Sequence, residues 1–200
     1  PTINDENDIF PKEPKMAKQF TALDSNLRDF ILRQNIFFTA SATADSRVNI
    51  SPREIGALRI INDTTVTYLD RTGSGNETAA HMLADGRLTI MFCAFAGPPQ
   101  ILRLYGKGTS LGWNSNEFKT LVANHYGTAP LGTRQIMKLE FDLVQTSCGY
   151  GVPLFDYQGE REAMENWHMN KGPDGIQAYW KVNNLSSIDG LATGLKLAED

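Results

Sequence analysis

The chain has 200 residues, of which 41% are hydrophobic and 10% aromatic, enough for the core of one globular domain or of two small ones. Its net charge of −4 at pH 7 argues against nucleic-acid binding and against attraction to an anionic membrane. The two cysteines, Cys93 and Cys148, form no disulfide framework, so we expect a reducing compartment such as the cytoplasm. The sequence contains no apolar run of membrane-spanning length, and the polar N-terminus does not resemble a signal peptide.

The first predicted elements are an arm and a helix. Residues 1–20 carry three prolines and many charges, and we expect them to form an arm that packs against a partner subunit. The stretch "LDSNLRDFILRQN" then predicts a helix that Asp24 or Ser25 can cap. Its apolar stripe consists of Leu27, Phe30 and Ile31.

Strands dominate the middle of the chain. "IFFTASAT" and "RVNISP", joined by the short link "ADS", predict a hairpin. Further strands are predicted at Leu58–Ile61, Val66–Leu69, Leu88–Ala94, Ile101–Thr109 and Gln135–Val144. Helices are predicted over 76–85, 115–126, 160–170 and 174–183, with Ser115 as a cap for the second of them. Because the strands do not alternate regularly with helices, we predict a small antiparallel barrel with peripheral helices.

The stretch "DRTGSGNETAAHM", residues 70–82, carries the parts of an anion site. After a predicted strand come Arg71, two glycines and a helix start with Asn76 as its expected N-cap. The free N–H groups of a first helical turn attract anions, and a guanidinium suits a phosphate. Gly73 and Gly75 would let the backbone curl into a nest of N–H groups. The alternative is a plain strand-to-helix loop with a surface arginine. The stretch matches neither the Walker pattern nor the dinucleotide-binding glycine pattern.

Three other segments contain candidate functional side chains. Arg103 lies within a predicted strand, where it needs an anionic partner, either a cross-strand carboxylate or a ligand. Cys148 lies in a glycine-containing loop, without a neighbouring histidine or lysine to activate its thiol. Ser110 matches a G-x-S-x-G pattern, but no helix is expected directly after it, which disfavours a serine hydrolase. The three histidines are too scattered to indicate a zinc site.

Four stretches between residues 36 and 110 resemble the pyridoxamine 5′-phosphate oxidase-like family of split-barrel flavin-binding proteins: "FFTASATADSRVNISP", "TYLDRTGSGNETAAHM", "GRLTIMFCAF" and "PPQILRLYGKG". The later stretches "SCGYGVPLFDYQGERE" and "YWKVNNLSSIDGL" are similar to one branch of that family. The resemblance implies a mainly β fold with peripheral helices, built on a six-stranded antiparallel split β-barrel that dimerises and binds FMN at the subunit interface. We accordingly divide the chain into an N-terminal arm at 1–20, a flavin-binding barrel at 21–146, and a C-terminal loop and helical tail at 147–200 that packs on the barrel or the dimer interface.

The resemblance also assigns residues to the cofactor. It places Asn49, Ser51 and Pro52 beside the isoalloxazine ring and the ribityl chain. Ribityl and phosphate would be held by Asp70, Arg71, Thr72, Gly75, Asn76 and Thr78. Arg103 would reach the flavin or its phosphate from a neighbouring strand, and Cys148 would close over the site from the other direction.

Two departures from the family pattern bear on function. Its vitamin B6 oxidases usually carry an arginine followed four and five residues later by Leu-Lys, and Ser-Arg-Lys at the phosphate loop, where this chain has "NISPREIGAL" and "GSGNET". We therefore expect not a vitamin B6 oxidase but an FMN-binding homodimeric oxidoreductase that exchanges electrons with a small molecule. The alternatives are a flavin or deazaflavin carrier without fast turnover and a flavin-free barrel. Because a flavin supplies its own redox chemistry, no catalytic acid or base is required.

Overall fold

The computed structural model describes residues 17–198, which form one antiparallel sheet of eight strands surrounded by helices. The strands are β1 (Lys18–Phe20), β2 (Ile36–Ser41), β3 (Asn49–Glu54), β4 (Leu58–Asn62), β5 (Thr65–Arg71), β6 (Arg87–Cys93), β7 (Ile101–Gly112) and β8 (Thr133–Ser147). The helices are α1 (Ser25–Leu32), α2 (Glu77–Ala84), α3 (Asn116–Leu121) and α4 (Ala163–Asn183). A 3₁₀ turn (Ile55–Ala57) joins β3 to β4, and a π-helical turn (Val122–Tyr126) follows α3.

The sheet curls into a split barrel, as predicted. Its strands follow the order β3-β2-β6-β7-β8-β5-β4, and β1 adds to β8. Strands that are distant in this order touch across the interior: the ring of Phe37 on β2 lies 5.5 Å from the ring of Tyr68 on β5. The core is therefore the inside of the curled sheet, closed by residues of α1 and α2 such as Phe30 and Ala79. This closure brings the β3 edge next to the end of β5.

Most local predictions are confirmed, and the strand count is corrected. The hairpin of β2 and β3 forms, Asp24 accepts a hydrogen bond from the Leu27 N–H, and Ser115 accepts one from the Phe118 N–H. Among the described residues the sheet has eight strands rather than six. The unpredicted β1 has only three residues, too few to show an alternating pattern, and Phe20 is its one apolar side chain. Residues 1–16 of the predicted arm lie outside the described part of the chain.

The long helix α4 is two helical segments in sequence. Gly172 has φ of 63° and interrupts the helical backbone, and Pro173 follows it. This break agrees with the separate helices predicted over 160–170 and 174–183. Within residues 17–198 no helix is both long and apolar enough to cross a membrane.

Gly132→Ala is expected to destabilise the fold by about 2–5 kcal/mol in the free energy of unfolding. Gly132 has φ of +83°, which costs a residue with a side chain about 1–2 kcal/mol. A Cβ there would lie 2.2 Å from Cδ2 of His168, and such overpacking costs about 1–3 kcal/mol more. Gly127→Ala is the matched control, because φ is +74° but a Cβ would meet nothing within 4 Å. Urea denaturation of both variants measures the difference, and equal losses would contradict the packing argument.

Candidate functional site

The loop between β5 and α2 is arranged differently from the nest that its glycines suggested. Neither Gly73 nor Gly75 has positive φ, so the expected left-handed curl is absent there. Asn76 does occupy the N-cap position of α2, but its side chain makes no capping hydrogen bond. Instead its Nδ2 donates to the Asn184 carbonyl at 3.2 Å, and its Oδ1 accepts from Gln135 Nε2 at 2.6 Å. The first turn of α2 therefore has no side-chain cap on its N–H groups, the groups with which helix N-termini bind anions.

A cavity of about 290 Å³, here called the arginine pocket, lies between β3, the end of β5 and the start of α2. Seven predicted cofactor residues line it: Asn49, Ser51, Pro52, Asp70, Gly75, Asn76 and Thr78. Five further residues complete the lining: Arg53, Gly73, Ser74, Glu77 and Arg134. The volume is at the lower limit of small-ligand pockets, which suits one polar end of a larger ligand.

A buried triad of charges forms the floor of the arginine pocket. Asp70 is fully buried, and its Oδ2 accepts hydrogen bonds from Arg134 Nε and Gln135 Nε2, both at 2.7 Å. Its Oδ1 lies 2.9 Å from Arg53 Nη1. Two guanidinium groups thus share one carboxylate, so the triad carries a formal charge of +1. Buried charge of this kind is normally balanced, which makes an anionic ligand the expected complement.

Polar atoms of the triad are left without partners among residues 17–198. Buried Arg134 Nη1 and Arg53 Nε have no hydrogen-bond acceptor there. Asp70 Oδ1 has no directed hydrogen bond either, since Arg53 reaches it only as an ion-pair contact. Unused donors of buried groups cost free energy unless a ligand or water satisfies them. Arg53, Arg134 and Asp70 all line the pocket, so a ligand there would meet two guanidinium groups suited to phosphate oxygens and a carboxylate suited to a hydroxyl.

The environment of the triad fixes its protonation. Burial alone raises the pKa of Asp70, but the guanidinium groups of Arg134 and Arg53 outweigh burial and hold that pKa below the ordinary carboxyl value. Arg53 also lies 5.5 Å from the ring centroid of Tyr68, as a cation over an aromatic face. Burial raises the pKa of Tyr68 to about 12, so its phenol stays neutral. Asp70 is consequently an anion throughout the neutral range.

We expect the stability of the fold to fall as the pH drops below about 4, with Asp70 as one cause. The folded-state pKa of Asp70 lies below its ordinary value of 3.8, so the unfolded chain takes up the proton first. Its stabilising contribution is complete above that value and is lost as the pH falls through the folded-state pKa. Urea denaturation between about pH 7 and pH 2.5 tests this, and Asp70→Asn should flatten the acid limb. Asp63→Asn, at an exposed carboxyl, is the control; an acid limb unchanged by Asp70→Asn would contradict the assignment.

Amide and hydroxyl groups line the opposite wall of the arginine pocket. Asn49 Nδ2 donates to Thr78 Oγ1 at 3.1 Å, which links β3 to the first turn of α2. Ser51 Oγ and Asn49 Oδ1 lie 3.5 Å apart, a weak contact that a ligand hydroxyl can replace. These groups suit a polyol rather than a phosphate.

Arg71 and Thr72 are directed away from the arginine pocket. Arg71 Nη2 donates to the Leu131 carbonyl at 3.1 Å and to Glu165 at 2.6 Å, and it lies 3.0 Å from His168 Nδ1. Burial and then the charge of Arg71 lower the pKa of His168. Thr72 Oγ1 donates to the Gly132 carbonyl and accepts from Trp180 Nε1 at 2.6 Å. Both residues hold α4 against the barrel.

Arg103 and Cys148 lie outside the arginine pocket of the same protomer. Arg103 shares a cross-strand row with Pro52, but β2 and β6 lie between their strands, so their Cα atoms are roughly 14 Å apart along the sheet. Arg103 Nη1 donates to Ser147 Oγ at 3.2 Å. Cys148 follows β8 and is exposed.

The two arginines of the triad were not among the predicted site residues. The alternation of Asn49, Ser51 and Arg53 on one face of β3 could have identified Arg53. Arg134 gives no local signal, because only the pairing of Asp70 with Gln135 brings it to the site. Ser110, by contrast, is excluded as an elbow nucleophile, since it lies inside β7 and donates to Gln135 Oε1 at 2.9 Å.

A larger cavity of about 1450 Å³, the aromatic cavity, adjoins the arginine pocket. Pro52 and Arg53 line both spaces. Its walls include Phe95 and Phe155, whose ring centroids lie 5.5 Å apart, and Arg71. A ligand held in the arginine pocket can therefore extend past Pro52 into a roomier space.

The curled antiparallel sheet and the pocket at its edge define a split-barrel protein with a buried basic site. The sequence profile described as pyridoxamine 5′-phosphate oxidase matches residues 23–148. The pyridoxamine 5′-phosphate oxidase family protein ustO of Aspergillus flavus is 32% identical in an alignment of 197 positions that spans 88% of this chain and 79% of that protein. The chain therefore belongs to the pyridoxamine 5′-phosphate oxidase family.

Solved structures with a partly similar backbone include HupZ of Group A Streptococcus, with 15% identity, a TM-score of 0.49, and coverage of 66% of this chain and 99% of that one. An FAD-binding protein from Mycobacterium smegmatis has 12% identity, a TM-score of 0.44, and coverage of 64% and 96%. The heme storage protein HutZ from Vibrio cholerae has 13% identity, a TM-score of 0.45, and coverage of 59% and 90%. Likeness of this degree says nothing about the ligand of this chain.

Proposed function

We propose that the chain is an FMN-binding, flavin-dependent oxidoreductase of unassigned substrate, and not a vitamin B6 oxidase. The observation that carries the proposal is the arginine pocket. It is lined by the largely buried Arg53 and the buried Arg134, each with one N–H group that lacks an acceptor among residues 17–198, beside the uncapped start of α2. A phosphate monoester dianion supplies oxygens to both guanidinium groups and benefits from the helix N-terminus.

The other pocket residues suit the remainder of FMN. The amide of Asn49 and the hydroxyls of Ser51 and Thr78 match the ribityl chain, and Asp70 Oδ1 can accept from a ribityl hydroxyl. A volume of about 290 Å³ suits the phosphate and ribityl chain, so the flavin ring is left outside, beyond Pro52. Family membership supports the same ligand.

When bound, FMN supplies hydride and electron transfer. The protein's own residues bind and orient it. Asp70 holds Arg53 and Arg134 in place and keeps their charges partly balanced when the site is open. Arg53, fixed between Asp70 and the face of Tyr68, lies where both cavities meet and so sets the charge next to the flavin ring.

Homodimerisation is part of the proposal. A second copy of the chain would bring Arg103 and Cys148 to the flavin, because in one protomer they lie outside the arginine pocket. Val48 and Ile50, at the edge strand β3, are 67% and 66% exposed and offer apolar surface for that copy to cover. Light scattering on the purified protein should give the mass of two chains; a monomer with bound FMN would contradict this part.

The second candidate function is a flavin or deazaflavin carrier without fast turnover. Both carboxylates of the arginine pocket are engaged, Asp70 by the arginines and Glu77 by the Ile188 N–H, which leaves no free acid or base there. We place either function in the cytoplasm, which agrees with both cysteines being free thiols.

Mass spectrometry of the small molecule that co-purifies with the chain tests the proposal. FMN with flavin absorbance is the expected result; a colourless protein that does not take up added FMN would overturn it. Anaerobic mixing with NADH or NADPH then separates the two candidates. Bleaching within seconds supports an oxidoreductase with a small-molecule electron donor, and no bleaching over hours supports the carrier.

A further inference from the structure

The last described residues of the chain contact residues that line the arginine pocket. Residues 184–198, here called the C-terminal strap, follow α4 and contain one isolated pair of bridged residues, Ser186 and Ala192. They lie beyond residues 23–148, the part that the family profile matches. None of the seven predicted pocket residues lies in this segment.

The strap binds the loop between β5 and α2 at three points. Asn184 is fully buried; its Nδ2 donates to the Gly73 carbonyl at 3.2 Å, and its own carbonyl accepts from Asn76 Nδ2 at 3.2 Å. The Ile188 N–H donates to the two carboxylate oxygens of Glu77 at 3.1 and 3.0 Å. These contacts hold both ends of the loop and turn the Glu77 carboxylate towards the strap.

The same segment is tied to the β3 side of the arginine pocket and to a small hydrophobic cluster on α4. Asp189 forms a salt bridge with Arg47, and its Oδ2 accepts from the Arg47 N–H at 2.8 Å, two residues before β3. Thr193 Oγ1 donates to the Asn184 carbonyl at 2.7 Å. Leu195 packs with Trp180 in a separate small hydrophobic cluster. The strap therefore spans from the β3 side of the pocket to its α2 side.

We infer that the C-terminal strap is a preorganising element of the ligand site and that Asn184 is a positioning residue for the 73–76 backbone. The inference rests on the proposed function, because it concerns the phosphate end of the FMN site. Gly73 and Gly75 leave the loop backbone free to vary, and a bound anion would otherwise have to order it at its own expense. The amide of Asn184 orders the loop before binding. Its effect is specific to the phosphate, since the strap does not touch Asn49, Ser51 or Pro52 through any described hydrogen bond.

The first test compares Asn184→Ala with Asn183→Ala, using FMN and riboflavin as probes. Asn183 is the matched control, because its amide bonds only the Tyr179 carbonyl of its own helix. Titration of flavin fluorescence should show FMN binding weakened about fivefold to tenfold in Asn184→Ala, the loss expected for one hydrogen bond. Riboflavin, which lacks the phosphate, should bind within about twofold of wild type, so the ratio of the two affinities falls. Asn183→Ala should leave both affinities unchanged.

The second test compares Glu77→Ala with Glu77→Gln and applies even if Asn184→Ala fails to fold. Both changes remove a negative charge near the phosphate, but glutamine keeps an acceptor for the Ile188 N–H. The inference predicts that FMN binds the alanine variant about threefold to tenfold more weakly than the glutamine variant. Equal FMN affinities would count against the strap.

The outcomes separate the strap from the proposed function. A wild-type chain that binds neither probe overturns the proposed function. The strap inference is overturned if the wild type binds FMN but Asn184→Ala leaves the ratio of FMN to riboflavin affinity unchanged. The proposed function stands in that case.

Discussion

Arg134→Ala is expected to weaken FMN binding by about 1.5–3 kcal/mol, or roughly 10- to 150-fold, the range of a charge-assisted hydrogen bond. Arg134 is 3% exposed and lines the arginine pocket, and its buried Nη1 has no acceptor among residues 17–198. Asp70 keeps Arg53 as a partner in this variant, so the pocket is not left with an unpaired carboxylate. Flavin fluorescence titration measures the affinity, and circular dichroism checks that the variant folds.

Arg71→Ala is the matched control for Arg134→Ala. Arg71 carries the same charge and lies at the end of β5, but its guanidinium bonds Glu165 and the Leu131 carbonyl. We expect its FMN affinity to stay within about threefold of wild type, since no hydrogen bond to the phosphate is lost. A large loss for Arg71→Ala and none for Arg134→Ala would contradict this assignment and place the phosphate site on the other side of β5.

Asp70→Ala is expected to lower the free energy of unfolding by about 3–5 kcal/mol, because it leaves two buried guanidinium groups without their shared carboxylate. Urea denaturation at neutral pH measures the loss. Asp63→Ala, which breaks an exposed pair with Arg28, should cost about 1 kcal/mol or less.

Added FMN provides a second readout for Asp70→Ala. An anion between Arg53 and Arg134 replaces part of the lost negative charge, so FMN should raise the midpoint of unfolding more in the variant than in the wild type. An Asp70→Ala variant as stable as the wild type would mean that water solvates the two arginines. That result would contradict the argument that unbalanced buried charge makes the arginine pocket an anion site.

The fold was predictable from sequence because its signals are local. Alternating apolar residues located seven of the eight strands, and Asp24 and Ser115 marked two helix starts. The unpredicted β1 pairs only with β8, and three residues carry no local signal for such a long-range contact. The resemblance implied a barrel of six strands, the sequence patterns located seven, and β1 is the eighth.

The candidate site was predictable only in part because side-chain direction is set by distant contacts. "NISP" and "GSGNET" both contribute to the arginine pocket, as their resemblance to the family implied. Arg71 seemed the natural phosphate ligand next to the glycines, but Glu165 of α4 draws its guanidinium away. Arg134 reaches the pocket through the register of β5 and β8, and the strap at 184–198 contacts residues that line it. Neither contact has a sequence motif.

The triad of Arg53, Asp70 and Arg134 also constrains how this chain can diverge. Loss of Asp70 leaves two arginine side chains without their carboxylate in a site with little water. Loss of either arginine changes the ligand that the site prefers. Selection should therefore remove single replacements in the triad and retain paired replacements that keep its net charge. Across related genomes, the three positions should be inherited as a set, and a lineage with a neutral residue at position 70 should also lack one of the two arginines.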